Sequence, residues 1–351
     1  MDLESKLTRS TLKFYNNLGV SRNVIQDVIK WLIDIASKIV PSYILQQVET
    51  TMPNCDSNFL DVLRSSFKKS TAIFDKFSTE HRRFKLYRNK SLMIESESIE
   101  IGKKIVTRLK DDQTIQLKEK VFAEYISLGS SLKILFETPG IFCTVKDYMA
   151  SLDNEKNIIS NYSQCEQFQE IKEAFGPGKI LIPLFGFNDE FVYGSPVGLH
   201  SASTKLDGVD MTTLLPPNLS SKLDLILLVM VDKASDLKKY SNNRALYRRL
   251  IIELNELNET GLDVLVDGKP YKLHFVLCLW EGDNKGLNAM LGYTENFYWG
   301  LARRICYADS DMIKALVREV ESLLRTKESY IIDYKKKRSI FHRFDRLLRI
   351  Q

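Results

Sequence analysis

Histidine and cysteine are scarce, with four His and five Cys in 351 residues. The cysteines (Cys55, Cys143, Cys165, Cys278 and Cys306) have no paired spacing, which argues against a zinc module and for reduced intracellular thiols. No basic start leads into an apolar segment, and no run approaches the roughly 18 apolar residues of a membrane span. The chain is therefore expected to be neither secreted nor membrane-embedded. It has no internal repeat, no low-complexity tract and no Gly-rich phosphate loop of Walker or Rossmann type. Its Ser and Cys residues form no nucleophile–base pattern. What remains is ordinary soluble composition, 44% hydrophobic and 27% charged, in a chain long enough for two or three domains. A net charge of +5 allows a polyanionic partner without requiring one.

The most informative stretch runs from Lys179 to Asp283. Ile180 to Phe187 is a short apolar run of the kind that forms a strand covered on both faces, and it ends in Asn188, Asp189 and Glu190. Lys205 to Leu214 and Leu223 to Val231 read as two more strands, separated by Pro216 and Pro217. From Asn242 to Asn258 the period becomes helical, with Leu246, Leu250, Leu254 and Leu257 on one face and Gly261 as the stop. Leu262 to Val266 and Tyr271 to Trp280 flank Asp267-Gly268, a hairpin signal, and the second strand runs into Glu281-Gly282-Asp283. Carboxylates at the ends of central strands can converge on divalent metal. Two Mg²⁺ or Mn²⁺ ions about 3.5 to 4 Å apart would then activate a nucleophile and stabilise a leaving oxygen. Asp189 and Asp283 are the candidate metal ligands, with Glu190 as a further catalytic candidate.

The segment Phe187-Asn188-Asp189-Glu190-Phe191-Val192-Tyr193-Gly194-Ser195-Pro196-Val197-Gly198 resembles "Tyr-Asp-Asp-x-Glu-x-x-Asn-Pro-Leu-Gly-Ser" of transposon-derived proteins abundant in arthropods and other animals. Gly282-Asp283-Asn284-Lys285-Gly286-Leu287-Asn288 and Leu291-Gly292-Tyr293-Thr294-Glu295-Asn296-Phe297 resemble their "Gly-Asp-Asn-x-Gly-Leu-Asn" and "Leu-Gly-Phe-x-Glu-Ser-Phe" segments. Those proteins are similar to acidic-triad, ribonuclease H-like transposases, nearest to the CACTA type. The resemblance covers most of the chain and implies an α/β, ribonuclease H-like mixed sheet with flanking helices. Asp189 and Asp283 would be the first two acids of the triad. Val192, Glu190 and Leu199 depart from the family's Glu, second Asp and Ser, and Arg303 replaces the first member of a Cys-x-x-Cys pair. The third acid would lie on a later helix, for which Glu295, Glu319 and Glu321 are the nearby candidates. Two functions follow as expectations. One is a catalytically inactive, transposon-derived DNA-binding remnant. The other is an active transposase using Mg²⁺ or Mn²⁺.

Ahead of this core, a helix capped at Ser21 carries Val24, Val28, Leu32, Ile35 and Ile39 and is expected to end at Pro41. Asn58 to Phe77 forms a second helical stripe, placed antiparallel to the first. In His81 to Lys90, cations alternate with Phe84, Leu86 and Tyr87, a pattern for a strand or extended arm. It nominates Arg82, Arg83, Lys85, Arg88 and Lys90 for nucleic-acid contact. Residues 95 to 116 read as a loop or hairpin, Val121 to Glu137 mixes strand and helix signals, and Phe142 to Leu152 as a short helix. Asp309 to Lys327 reads as a helix on Met312, Leu316, Val320 and Leu323. The basic tail adds Lys335, Lys336, Lys337 and Arg338, a DNA-binding patch or nuclear-import signal. The expected division is a mainly helical region 1–175, a core 176–308 and C-terminal helices 309–351.

Overall fold

In a computed structural model, the described residues are 2–15, 21–90, 92–110, 113–155, 159–192, 205–236, 243–291, 306–308, 311–312, 318 and 320–336. The chain divides into two compact units, Met1–Glu95 and Ser96–Gln351.

The first unit is helical: α1 (Leu3–Tyr15), α2 (Arg22–Asp34), α3 (Val40–Thr51), α4 (Ser57–Asp75) and α5 (Glu80–Asn89). Ser21, Asp56 and Thr79 cap α2, α4 and α5 by accepting backbone N–H bonds from the first turns. Two expectations change here. The helix begun at Arg22 does not stop at Pro41, because a π-helical turn at Ile35–Ile39 joins α2 to α3 and places Pro41 in the first turn of α3, where its missing N–H costs little. The buried residues of α2 are Ile25 and Ile29, whereas Val24, Leu32 and Ile39 are exposed.

The second unit is mixed α/β. In chain order it contains β1 (Ser96–Lys110), β2 (Gln113–Ile126), α6 (Leu128–Glu137), α7 (Ile141–Asn154), α8 (Glu166–Phe175), β3 (Ile180–Val192), β4 (Lys205–Thr213) and β5 (Leu227–Lys233). Next come α9 (Asn243–Glu259), β6 (Leu262–Val266), β7 (Lys269–Glu281), α10 (Asn284–Leu291) and α11 (Lys327–Lys336). One seven-stranded sheet runs in the order β1-β2-β5-β4-β3-β7-β6. Its β3/β7 joint is parallel and the rest are antiparallel. The division expected near residue 176 falls instead after Glu95, because the β1/β2 hairpin joins β5 and so belongs to the sheet that holds β3.

Strand alternation sorts side chains onto two faces. On one face Ile182, Leu184, Val209, Met211 and Val229 pack with Leu132, Phe142, Leu250 and Leu254 of α6, α7 and α9 in the main core. On the other, Leu181 and Val276 meet Phe168 of α8. Asp267 and Gly268 both take positive φ (48° and 77°), the conformation a two-residue hairpin loop demands, so the Asp-Gly signal places the β6/β7 turn correctly. Gly186 has no room for a side chain: a Cβ there would sit 2.6 Å from the Trp280 ring, which crosses the strand into the main core.

The helix expected over Asp309 to Lys327 is interrupted where it is described. Val320 is extended and Glu321–Leu323 forms a 3₁₀ turn. Leu316 and Glu319 lie outside the described residues. No helix of the described residues is long and apolar enough to cross a membrane.

Candidate functional site

The candidate site is where the β3/β7 pairing ends. These strands run parallel, and their register reaches Phe187 opposite Glu281; β7 ends there while β3 continues to Val192 against β4, so Asp189 lies within β3 and Asp283 two residues past the end of β7. The backbone neighbourhood expected from the sequence is therefore present.

The side chains are divided. Asp189 lies opposite Gly208 and Phe187 opposite Asp210, which puts Asp189 and Asp210 on the face away from the main core. Burial, with a smaller contribution from Asp189, pushes the Asp210 carboxyl above the usual carboxylate range. Asp189 itself is exposed and accepts the Glu190 N–H at 2.8 Å. Asn188, opposite Val209, points to the main-core face and is buried there. Asp283 stands at the start of α10, where its Oδ1 accepts the Gly286 N–H at 2.5 Å and its carbonyl accepts the Leu287 N–H at 3.0 Å. It is thus the N-terminal cap of a helix that packs Leu287 and Met290 against the main core. A Cβ on Gly286 would lie 3.0 Å from Asp283 Oδ1 and 3.9 Å from Asn188 Oδ1. The Asp283 carboxylate therefore neighbours the Asn188 amide on the core side.

Sequence reading named Glu190 but missed the two acids that share a row with it on that same face. Glu190 lies opposite Asp207, and Asp207 lies opposite Asp232, one residue on each of β3, β4 and β5. Asn188 Nδ2 donates to Asp207 Oδ1 at 3.1 Å and to the Gly208 carbonyl at 3.1 Å. Lys205 pairs with Glu190 at 3.2 Å and Lys104 with Asp236 at 3.4 Å, one cation toward each end of the row. Asp232 is 4% exposed, and its Oδ1 has no hydrogen-bond partner among the described residues. Burial, then the charges of Asp207 and Asp236, push its carboxyl up to about 8. The available signal was an acid within or directly after an apolar run, as in Leu206-Asp207-Gly208-Val209 and Val229-Met230-Val231-Asp232.

These arrangements decide how well the residues suit a divalent pair. Among the described residues, no three His, Cys, Asp or Glu side chains converge at metal-ligand spacing. Asp189 faces away from the main core, and one oxygen of Asp283 is committed to its helix. Two ions that each prefer about six oxygens are poorly provided for by this set. Cys278 offers no alternative nucleophile, since burial pushes its thiol up to about 12.

The nominated cations from Arg82 to Lys90 belong to the first unit, and there the structure makes two corrections. The segment is a helix, α5, and not a strand or extended arm. Arg83 is fully buried: its guanidinium donates to the Phe77 carbonyl at 2.5 Å, to Tyr15 Oη at 2.7 Å and to Gln26 Oε1, so it is a structural tie that no phosphate can reach. Alternation of cations with apolar residues fits a helical turn as well as a strand over so short a run. Arg82, Lys85, Arg88 and Lys90 remain exposed. Arg88 pairs with Glu95 and Lys90 with Glu4, each at 2.8 Å. Lys76, Arg82 and Lys85 line a shallow groove of about 390 Å³ together with Asp75, Leu86 and Asn89. Of the tail, Lys335 and Lys336 end α11, and Lys337 and Arg338 lie outside the described residues. Glu295 also lies outside them.

No protein-family model matches the chain, and no curated protein matches it significantly.

Proposed function

We propose that the protein is a transposon-derived DNA-binding protein on a ribonuclease H-like sheet, a remnant that has lost phosphoryl transfer. Support for the fold comes from the strand order β5-β4-β3-β7, antiparallel at the first two joints and parallel at the last, with α9 between β5 and the β6/β7 hairpin. The loss of chemistry rests on one observation: the two expected catalytic acids are split, Asp189 outward beside Asp210 and Asp283 tied to the first turn of α10. Support for binding comes from the groove with Lys76, Arg82 and Lys85, whose phosphate contacts would release counterions. The Lys335 to Arg338 cluster would serve for nuclear import. The active reading, with Mg²⁺ or Mn²⁺ on Asp189 and Asp283, draws on the parallel β3/β7 pairing alone.

Two assays test this. The purified chain is incubated with duplex DNA and Mg²⁺ or Mn²⁺ beside Asp189→Ala and Asp283→Ala variants. No cleavage or strand transfer is expected, and activity abolished by both substitutions would establish the active enzyme instead. DNA affinity is then measured against salt. It should weaken steeply, and replacing Lys76, Arg82 and Lys85 with Ala should flatten the slope by about one to three on the logarithmic scale. Absence of any DNA affinity at low salt would defeat the binding half.

A further inference from the structure

The α2–α3 helix carries a second apolar stripe that its own unit leaves uncovered. Trp31, Leu32, Ile39, Val40, Tyr43 and Ile44 are 63%, 43%, 61%, 42%, 61% and 36% exposed, while Ile25, Ile29 and Pro41 supply the buried side. Their spacing puts them in one line. Trp31 to Ile39 is eight residues, two turns of which one is widened by the π-helical turn at Ile35–Ile39, and Ile39 to Tyr43 and Val40 to Ile44 are four. Without the π turn, Trp31 would rotate away from Ile39. Just past α3 and at the start of α4, Met52, Phe59 and Val62 are 59%, 51% and 58% exposed. A helix that is apolar on two sides is ordinarily buried on both.

We propose that this stripe is a homodimer interface, in which the α2–α3 helix packs antiparallel against its counterpart in a second copy. Three features select a like copy. The first is area: an aromatic side chain contributes about 150–250 Å², so three rings more than half exposed together with the aliphatic members offer several hundred Å², approaching the roughly 800 Å² per partner of a stable interface. The second is charge, since a two-fold interface sets a surface against itself and any net charge would be self-repelling. Between Val40 and Thr51 the only charged residue is Glu49, and Lys38 is neutralised by Asp34 at 2.7 Å. Such a surface suits neither a polyanion nor a strongly charged partner. The third is length: the helix continues unbroken through the stripe from Trp31 to Ile44, about 20 Å at 1.5 Å per residue, enough for an antiparallel seam of about four turns.

The test is sedimentation of the full chain between about 1 and 50 µM. A dimer is expected, with Ile39→Glu/Tyr43→Glu weakening association at least about 100-fold while far-UV circular dichroism stays unchanged, because both side chains are already in water in the single chain. A second measurement needs no variant: backbone hydrogen exchange over residues 31–44 should slow as protein concentration rises. A chain that stays monomeric at 50 µM overturns the proposal. So does a dimer indifferent to the double substitution, or protection of 31–44 that does not depend on concentration, which would assign the stripe to another part of the same chain.

Discussion

Glu253 gives the sharpest test of how the second unit is held together. It lies on α9, is 7% exposed, and its two oxygens accept four bonds: from Tyr125 Oη, from Ser127 Oγ at 2.7 Å, and from the Leu128 and Gly129 N–H groups at 3.0 and 3.1 Å. Leu128 and Gly129 open α6, so one carboxylate satisfies two of that helix's orphan donors, favours its positive end and ties α6 and β2 to α9. Glu253→Ala strands these donors in the core. Each buried donor left unmade costs about 1–3 kcal/mol, and water entering the cavity offsets part, so a net loss of about 3–5 kcal/mol is expected. That is a large share of the roughly 5–15 kcal/mol of a typical domain. Glu253→Gln keeps the volume but turns an amide NH₂ toward N–H donors, for about 2 kcal/mol. Urea unfolding followed by circular dichroism measures both. A loss below about 1 kcal/mol for Glu253→Ala would refute the view that this carboxylate organises the junction.

Two further outcomes follow from buried polar groups. Because the Asp232 carboxyl is raised in the folded state to about 8 and ordinary when unfolded, the folded chain holds the extra proton between those values, and stability should fall as pH rises from about 4 toward 8. Asp232→Asn should remove at least about 1.4 kcal/mol of that pH dependence in denaturant titrations at pH 5 and 8, and an unchanged dependence would reject the assignment. Arg83→Met should destabilise the first unit by about 3 kcal/mol, since Tyr15, Gln26 and the Phe77 carbonyl lose their shared donor, whereas Arg82→Ala should stay within about 0.5 kcal/mol in the same thermal or urea melts.

What the sequence made legible is what local pattern controls. The strands from Ile180 to Trp280, helix α9 and the Asp-Gly turn follow from apolar runs, a 3.6-residue period and a backbone preference, each readable within a dozen residues. The resulting backbone puts Asp189 on β3 and Asp283 two residues past β7, its parallel neighbour. Other features depend on long-range pairing that no window contains. The β1/β2 hairpin belongs to this sheet only because Glu124 and Tyr125 meet Val231 and Met230 more than a hundred residues on. Asp207 and Asp232 become neighbours only through the β4/β5 register, and Arg83 is buried only because α1 and α2 bring Tyr15 and Gln26 to it. Pro41 misled for a different reason: a π turn accommodates the proline that would otherwise stop the helix.

The end of the sheet can also be understood from what Asn188 does among its neighbours. On the main-core face it stands between Asp207, to which it donates, and the start of α10, where Asp283 sits. A third carboxylate at that point would face Asp207 with no proton to offer and would add to the charge already raising Asp232. An amide instead supplies two donors, one to Asp207 and one to the Gly208 carbonyl, and bridges β3 to β4 without further charge. The β3 position next to Asp283 on this face is thus occupied by a neutral hydrogen-bond donor, while Glu190, two residues further along the same face, pairs with Lys205. The acid beside it, Asp189, is turned by strand alternation to the opposite face. Parallel pairing of β3 and β7 brings the two backbones together, while the residue at each alternating position decides which chemistry meets there. Here one carboxylate caps a helix and one amide bridges two strands.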